Sequence, residues 1–160
     1  MPIVKTLLLF SMLISYSYSI EKGYPLKGKA LLEFSIFKFD IYEIAYYEKS
    51  KNDFIITLDY KRDIKREHSL EGWKVGLEKN LKELDSYREQ IDWIKAHTKS
   101  VKKGDLYKIK VLEDTVTFFL NENVIGKKKD AKLASIVHLP WLGRNPVDEE
   151  IKKRLLSSTD

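Results

Sequence analysis

The hydrophobic period changes three times along this chain, and those changes restrict its architecture. Phe54, Ile56, Leu58 and Tyr60 alternate with Ile55, Thr57 and Asp59. That period of two puts one side of a strand against a core. After Arg66 the period lengthens. Leu70, Trp73, Leu77, Leu81 and Leu84 fall at spacings of three and four, on one helical face. Tyr107, Ile109 and Val111 then restore period two against Lys108 and Lys110, before Leu133, Ala134, Ile136 and Val137 return to helical spacing. Strands and helices that segregate in this way indicate an α+β domain of antiparallel strands with one sheet face covered.

Local signals fill in the elements. Leu26 to Phe34 and Ile36 to Tyr47 are rich in β-branched and aromatic residues and read as strands. The polar stretch Glu48 to Asp53 turns the second into a third, beginning at Phe54, to make an antiparallel hairpin. Ser69 is the expected N-cap of the first helix, which Gly72 and Gly76 weaken, and Ser86 that of the second, with Tyr87, Ile91 and Ile94 inward. Thr115 to Leu120 is a strand between turns at Glu113-Asp114 and Asn121 to Asn123, and Val124-Ile125 a short last one. A helix is expected over Asp130 to His138, with Pro140 to Gly143 as its stop. A last helix follows over Asp148 to Leu156, opened by carboxylates that suit the helix dipole.

The first nineteen residues read differently. Lys5 precedes an apolar run from Thr6 to Ile14, about half the roughly 20 residues a membrane-spanning helix needs. Ser17 and Ser19 supply the small side chains a signal peptidase requires before a cut between Ser19 and Ile20. The expectation is a signal peptide over 1–19 and a working domain over 20–160, periplasmic or secreted. The chain has no cysteine, so it carries no disulfide and no thiol-linked lipid.

Chemistry-bearing motifs are sparse. His68, His97 and His138 are scattered and read as surface or interfacial residues, so no metal is expected. There is no glycine-rich phosphate loop or nucleophile motif, and no cofactor is called for. The formal charge is +5, which suits an anionic membrane surface or an acidic ligand. Lys and Glu interleave along most of the chain, as on a solvated face. The basic clusters are too short for nucleic acid.

Two stretches stand out. Asp40, Tyr42, Ile44 and Tyr46 share one side of a strand, where a tyrosine hydroxyl beside apolar surface can orient a ligand. Tyr60 to Arg66 leaves the next strand with four cations, and an arginine there, Arg62, can clamp a carboxylate. Core tyrosines and a charged strand end are the plainer readings of the same residues.

These residues resemble a family. Leu26-x-Gly28, Phe37-x-Phe39-Asp40-Ile41-Tyr42 with Ala45-Tyr46, and Tyr60-Lys61-Arg62-Asp63-Ile64 look like the bacterial chalcone isomerase-like proteins. Val101-x-x-Gly104-Asp105, Phe118 to Asn121 with Gly126, then Trp141-Leu142-Gly143 and Pro146 continue the match in order, over about Tyr24 to Leu156. The resemblance implies a large antiparallel sheet with helices layered on one face, an open-faced β-sandwich, with a cleft between sheet and helices. Plant relatives use that cleft to close chalcones or to hold fatty acids, with an arginine and a tyrosine at the head group. Where the family carries an arginine on its first strand, this chain has Lys29-Ala30-Leu31-Leu32. Only Lys29 or Lys38 supplies a cation nearby, and a lysine lacks the planar fork.

The expected function is therefore non-catalytic binding of a small apolar, amphipathic or fatty-acid-like ligand. Tyr42, Tyr46 and Arg62 are the candidate contacts, and no catalytic residue is assigned. An intramolecular lyase of the chalcone isomerase type is one alternative. An envelope partner-binding protein is the other, its cleft filled by Trp73, Trp93 or Phe118. The sequence sets no oligomeric state.

Overall fold

The computed structural model describes residues 21–34 and 39–157. The expected leader, the cut after Ser19 and the candidate cation Lys38 lie outside the described residues. So does the expected strand start at Ile36.

Six antiparallel strands lie in sequence order: β1 (Leu26–Phe34), β2 (Phe39–Ser50), β3 (Asp53–Tyr60), β4 (Leu106–Leu112), β5 (Thr115–Leu120) and β6 (Asn123–Lys129). The final strand runs well beyond Val124-Ile125, because β5 offers it an unpaired edge as far as Thr115. Asn121 and Glu122, both at positive φ, make the tight turn between β5 and β6.

Register turns the alternation into rows. Gly28, Tyr46, Ile56, Ile109, Phe118 and Gly126 stand side by side across all six strands. Ala30, Ile44, Leu58, Tyr107 and Leu120 form the next row. Leu32, Tyr42 and Tyr60 form a shorter third. The core sits on this face, beneath α1 (Arg66–Glu78), α2 (Arg88–Ala96), α3 (Ala131–Ile136), α4 (Leu139–Leu142) and α5 (Glu149–Leu156).

The caps expected at Ser69 and Ser86 are not formed. Helix α1 begins four residues earlier, behind Lys65. The chain is pinned there by the Ile64–Val101 bridge and by Arg66, whose guanidinium donates to the carbonyls of Thr98 and Lys95 at 3.0 and 2.7 Å. Ser86 lies inside a 3-10 turn over Leu84–Tyr87 that runs directly into α2. The two acidic caps do form. Asp130 accepts from the Leu133 N–H, and Asp148 from those of Glu150 and Ile151. Pro140 opens the short helix α4 rather than ending a helix, since a first turn needs no N–H from it.

The opposite sheet face departs from the solvated reading at Ala45, Ile55, Thr57, Lys108 and Thr117, all buried. Lys108 is 5% exposed and bridges Glu21 at 2.5 Å and Glu122 at 2.9 Å. Burial pulls its pKa down, but the two carboxylates outweigh burial and leave it raised.

Candidate functional site

The helices leave a gap over the open end of the β2–β3 ladder. It is a cavity of about 810 Å³ between the inner face of β1 to β4 and helices α1 and α4. This lies within the few hundred to about 1,000 Å³ usual for small-molecule sites. Leu32, Ile41 and Leu58 form the sheet wall, with Trp73, Val75 and Trp141 opposite. Among the described residues, the ionisable groups of the lining other than tyrosine are Arg62, Asp63, His68, Glu71 and Lys99, all exposed. Charge is therefore confined to the rim, and the depth is apolar apart from hydroxyls.

Three tyrosines supply most of those hydroxyls. Tyr42 and Tyr60 are cross-strand partners with rings edge to face, centroids 5.4 Å apart. Burial pushes the Tyr60 phenol up to about 12, with a hydrogen bond from Ser69 opposing it. Burial also raises Tyr42 and Tyr107. All three are neutral donors at ordinary pH. The Tyr107 proton is committed to the His97 carbonyl at 3.3 Å. Tyr42 differs: its oxygen accepts the Trp141 indole N–H at 2.9 Å. Among the described residues no acceptor takes its own proton.

Helix α4 is held in place by close backbone approaches. A Cβ on Gly76 would stand 2.5 Å from Pro140 Cβ, so only glycine lets α1 and α4 touch there. Asn80 ties the same region together. Its amide donates to the carbonyls of Gly76, Leu139 and Asn145, and its oxygen accepts from the Asn145 N–H.

The candidate residues are not all brought together. Tyr42 and Arg62 both line the cavity. Tyr46 does not. It shares the Tyr42 side of β2 but lies four residues further along, buried against Phe54, with its hydroxyl donating to Glu48. Lys29 faces away from the cavity, its ammonium 3.9 Å from Glu43, while β1 turns Ala30 and Leu32 inward. Trp73 and Trp93 both pack against Phe118, at 6.1 and 4.9 Å, yet they do not fill the cleft.

Sequence reasoning missed Trp141 as a site residue, reading it as part of a helix stop and of the family match, and missed Tyr60 and Tyr107 as polar groups of the site. Alternation placed both tyrosines on the core side of their strands. Their position at the cavity end follows from register, which one strand does not reveal.

The fold and site define an open-faced antiparallel sheet with helices on one face and a ligand-sized cavity between the layers. The chalcone isomerase-like family model matches residues 21–157, and the chain belongs to that family. No curated protein matches it. Among solved structures it is similar to a fatty-acid binding protein of Arabidopsis thaliana, with TM-score 0.67 and 14% identity over 86% of this chain and 89% of that one. At that identity the likeness is one of fold.

Proposed function

We propose that this protein binds a small amphipathic acid or similar acceptor-headed molecule in the cavity, without catalysis. The observation that carries this reading is the Tyr42 proton, without an acceptor among the described residues, at the wall of a cavity that is apolar in depth apart from its hydroxyls. The head group accepts from Tyr42, Arg62 meets its charge at the rim, and the tail lies against Leu58, Trp73 and Val75. The fatty-acid binding of the Arabidopsis neighbour supports the ligand class. The apolar Ala30 and Leu32 on the inner side of β1 support a non-catalytic role, since closing a chalcone calls for a polarising cation over the ring-closing oxygen. The protein acts in the periplasm or outside the cell after its leader is removed. Its positive charge favours an anionic membrane surface as the source of the ligand.

Native mass spectrometry of the protein purified from its own cell envelope tests this. A stoichiometric fatty acid or similar amphiphile released on denaturation is the expected result. A clean apo mass, together with no uptake of added fatty acids, would overturn it.

A further inference from the structure

The Tyr42 hydroxyl is a buried donor of the cavity whose direction is set by a residue from another layer of the fold. Trp141 comes from α4, ninety-nine residues further along the chain, and reaches the Tyr42 oxygen at 2.9 Å. A phenol can donate or accept. An indole N–H can only donate, so the contact settles which role Tyr42 keeps. With a lone pair taken from the helix side, the O–H rotates away from the indole and toward the cavity.

Trp141 cannot swing to release this constraint. Its ring is buried and meets the Trp73 ring edge to face at 5.4 Å. Its helix is held by the Gly76–Pro140 approach and by the Val147 N–H, which donates to the Pro140 carbonyl at 2.8 Å. The indole is a fixed donor aimed at one oxygen.

We infer that Trp141 is a positioning residue for ligand recognition: it holds Tyr42 as a donor to the cavity and so tunes the site to a head group that accepts. This rests on the reading of the cavity as a binding site. It gives Trp141, a wall residue of the cavity, a second role exerted through Tyr42, and it builds a selection for acceptor chemistry between sheet and helix layer. Coupling runs the other way too. When Tyr42 donates to a ligand oxygen, its own oxygen becomes a better acceptor, and the indole bond strengthens with it.

The test uses dodecanoate as the probe, with wild type, Tyr42→Phe, Trp141→Phe and the double variant, and the ¹⁵N-labelled indole N–H resonances followed by NMR. Trp141→Phe keeps an aromatic ring against Trp73 but removes the N–H. It is expected to weaken dodecanoate binding roughly three- to tenfold, the scale of one hydrogen bond. In the Tyr42→Phe background the same change is expected to do nothing further. In wild type, dodecanoate shifts the Trp141 indole resonance downfield; in Tyr42→Phe it does not. The resonance experiment stands even if Trp141→Phe fails to fold. Equal losses from Trp141→Phe with and without the Tyr42 hydroxyl, or an indole resonance indifferent to ligand in wild type, overturn the inference alone. A wild type that takes up no dodecanoate overturns the reading of the site and this inference with it.

Discussion

Gly28 and Arg154 are in backbone contact: a methyl group at Gly28 would stand 2.0 Å from the Arg154 carbonyl oxygen and 2.8 Å from the Leu155 backbone. Helix α5 lies directly on β1 there, and neither backbone can yield. Gly28→Ala is expected to destabilise the protein by at least about 2–3 kcal/mol, as overpacking against rigid neighbours does. Gly72 is the internal control. It is exposed in α1 with nothing within 4 Å of a Cβ. Gly72→Ala should stabilise by about 0.5–1 kcal/mol through helix propensity alone. Urea unfolding of the two variants checks both signs.

Tyr42→Phe carries two effects that separate by assay. The lost hydroxyl removes the ligand's donor, so dodecanoate should bind about tenfold more weakly. It also leaves the buried Trp141 N–H without its acceptor, which costs about 1–3 kcal/mol of stability. The protein still folds, with a lower Tm. Tyr46→Phe serves as the comparison, because Tyr46 lies outside the cavity lining and should leave binding unchanged. Calorimetric titration beside thermal unfolding distinguishes the outcomes, and a Tyr46→Phe variant that binds as weakly as Tyr42→Phe would refute this placement.

The buried ammonium of Lys108 makes a third prediction. Lys108→Met leaves the Glu21 carboxylate, mostly buried, facing an apolar side chain. Removing one partner of a buried pair costs about 3–5 kcal/mol. Glu21→Leu in the same chain removes the stranded charge, so the double variant should recover most of that loss. Denaturant midpoints across the four-member cycle measure the coupling. Additive losses would mean that the two residues do not act as a pair.

Much of this fold is legible in period alone, because a sheet with one covered face must alternate and its helices must not. Asp130 and Asp148 announce their helices by chemistry that works locally. Ser69 and Ser86 carry the same signal and fail. Arg66, reaching Thr98 and Lys95, starts α1 early, and the 3-10 turn absorbs Ser86. Tyr42 and Tyr46 are indistinguishable on one strand, since both lie on its inner side. The gap in the helix layer decides between them, and that gap depends on where α4 sits. Trp141 is illegible for the same reason: its partner is fixed by the approach of Gly76 to Pro140, a contact between residues far apart in sequence.

The last prediction concerns acid. His138 precedes α4, its ring packs against Phe54 at 5.8 Å, and its Nδ1 is buried without a partner among the described residues. Burial first, then the charge of Lys51, holds its pKa below the usual 6.5. The unfolded chain therefore takes up a proton at about pH 6.5 while the folded protein does not. Stability is full above that pH and falls as pH drops from about 6.5 toward the depressed folded value, below which the loss is complete. Because the His138 carbonyl accepts from the Trp141 and Leu142 N–H groups, strain there is carried into the helix that holds Tyr42. His138→Gln, which cannot charge, should show a flatter profile between pH 7 and about pH 5, a window above the titration of most carboxylates. Urea midpoints taken across that window decide it. Equal slopes for wild type and variant would place the acid sensitivity elsewhere.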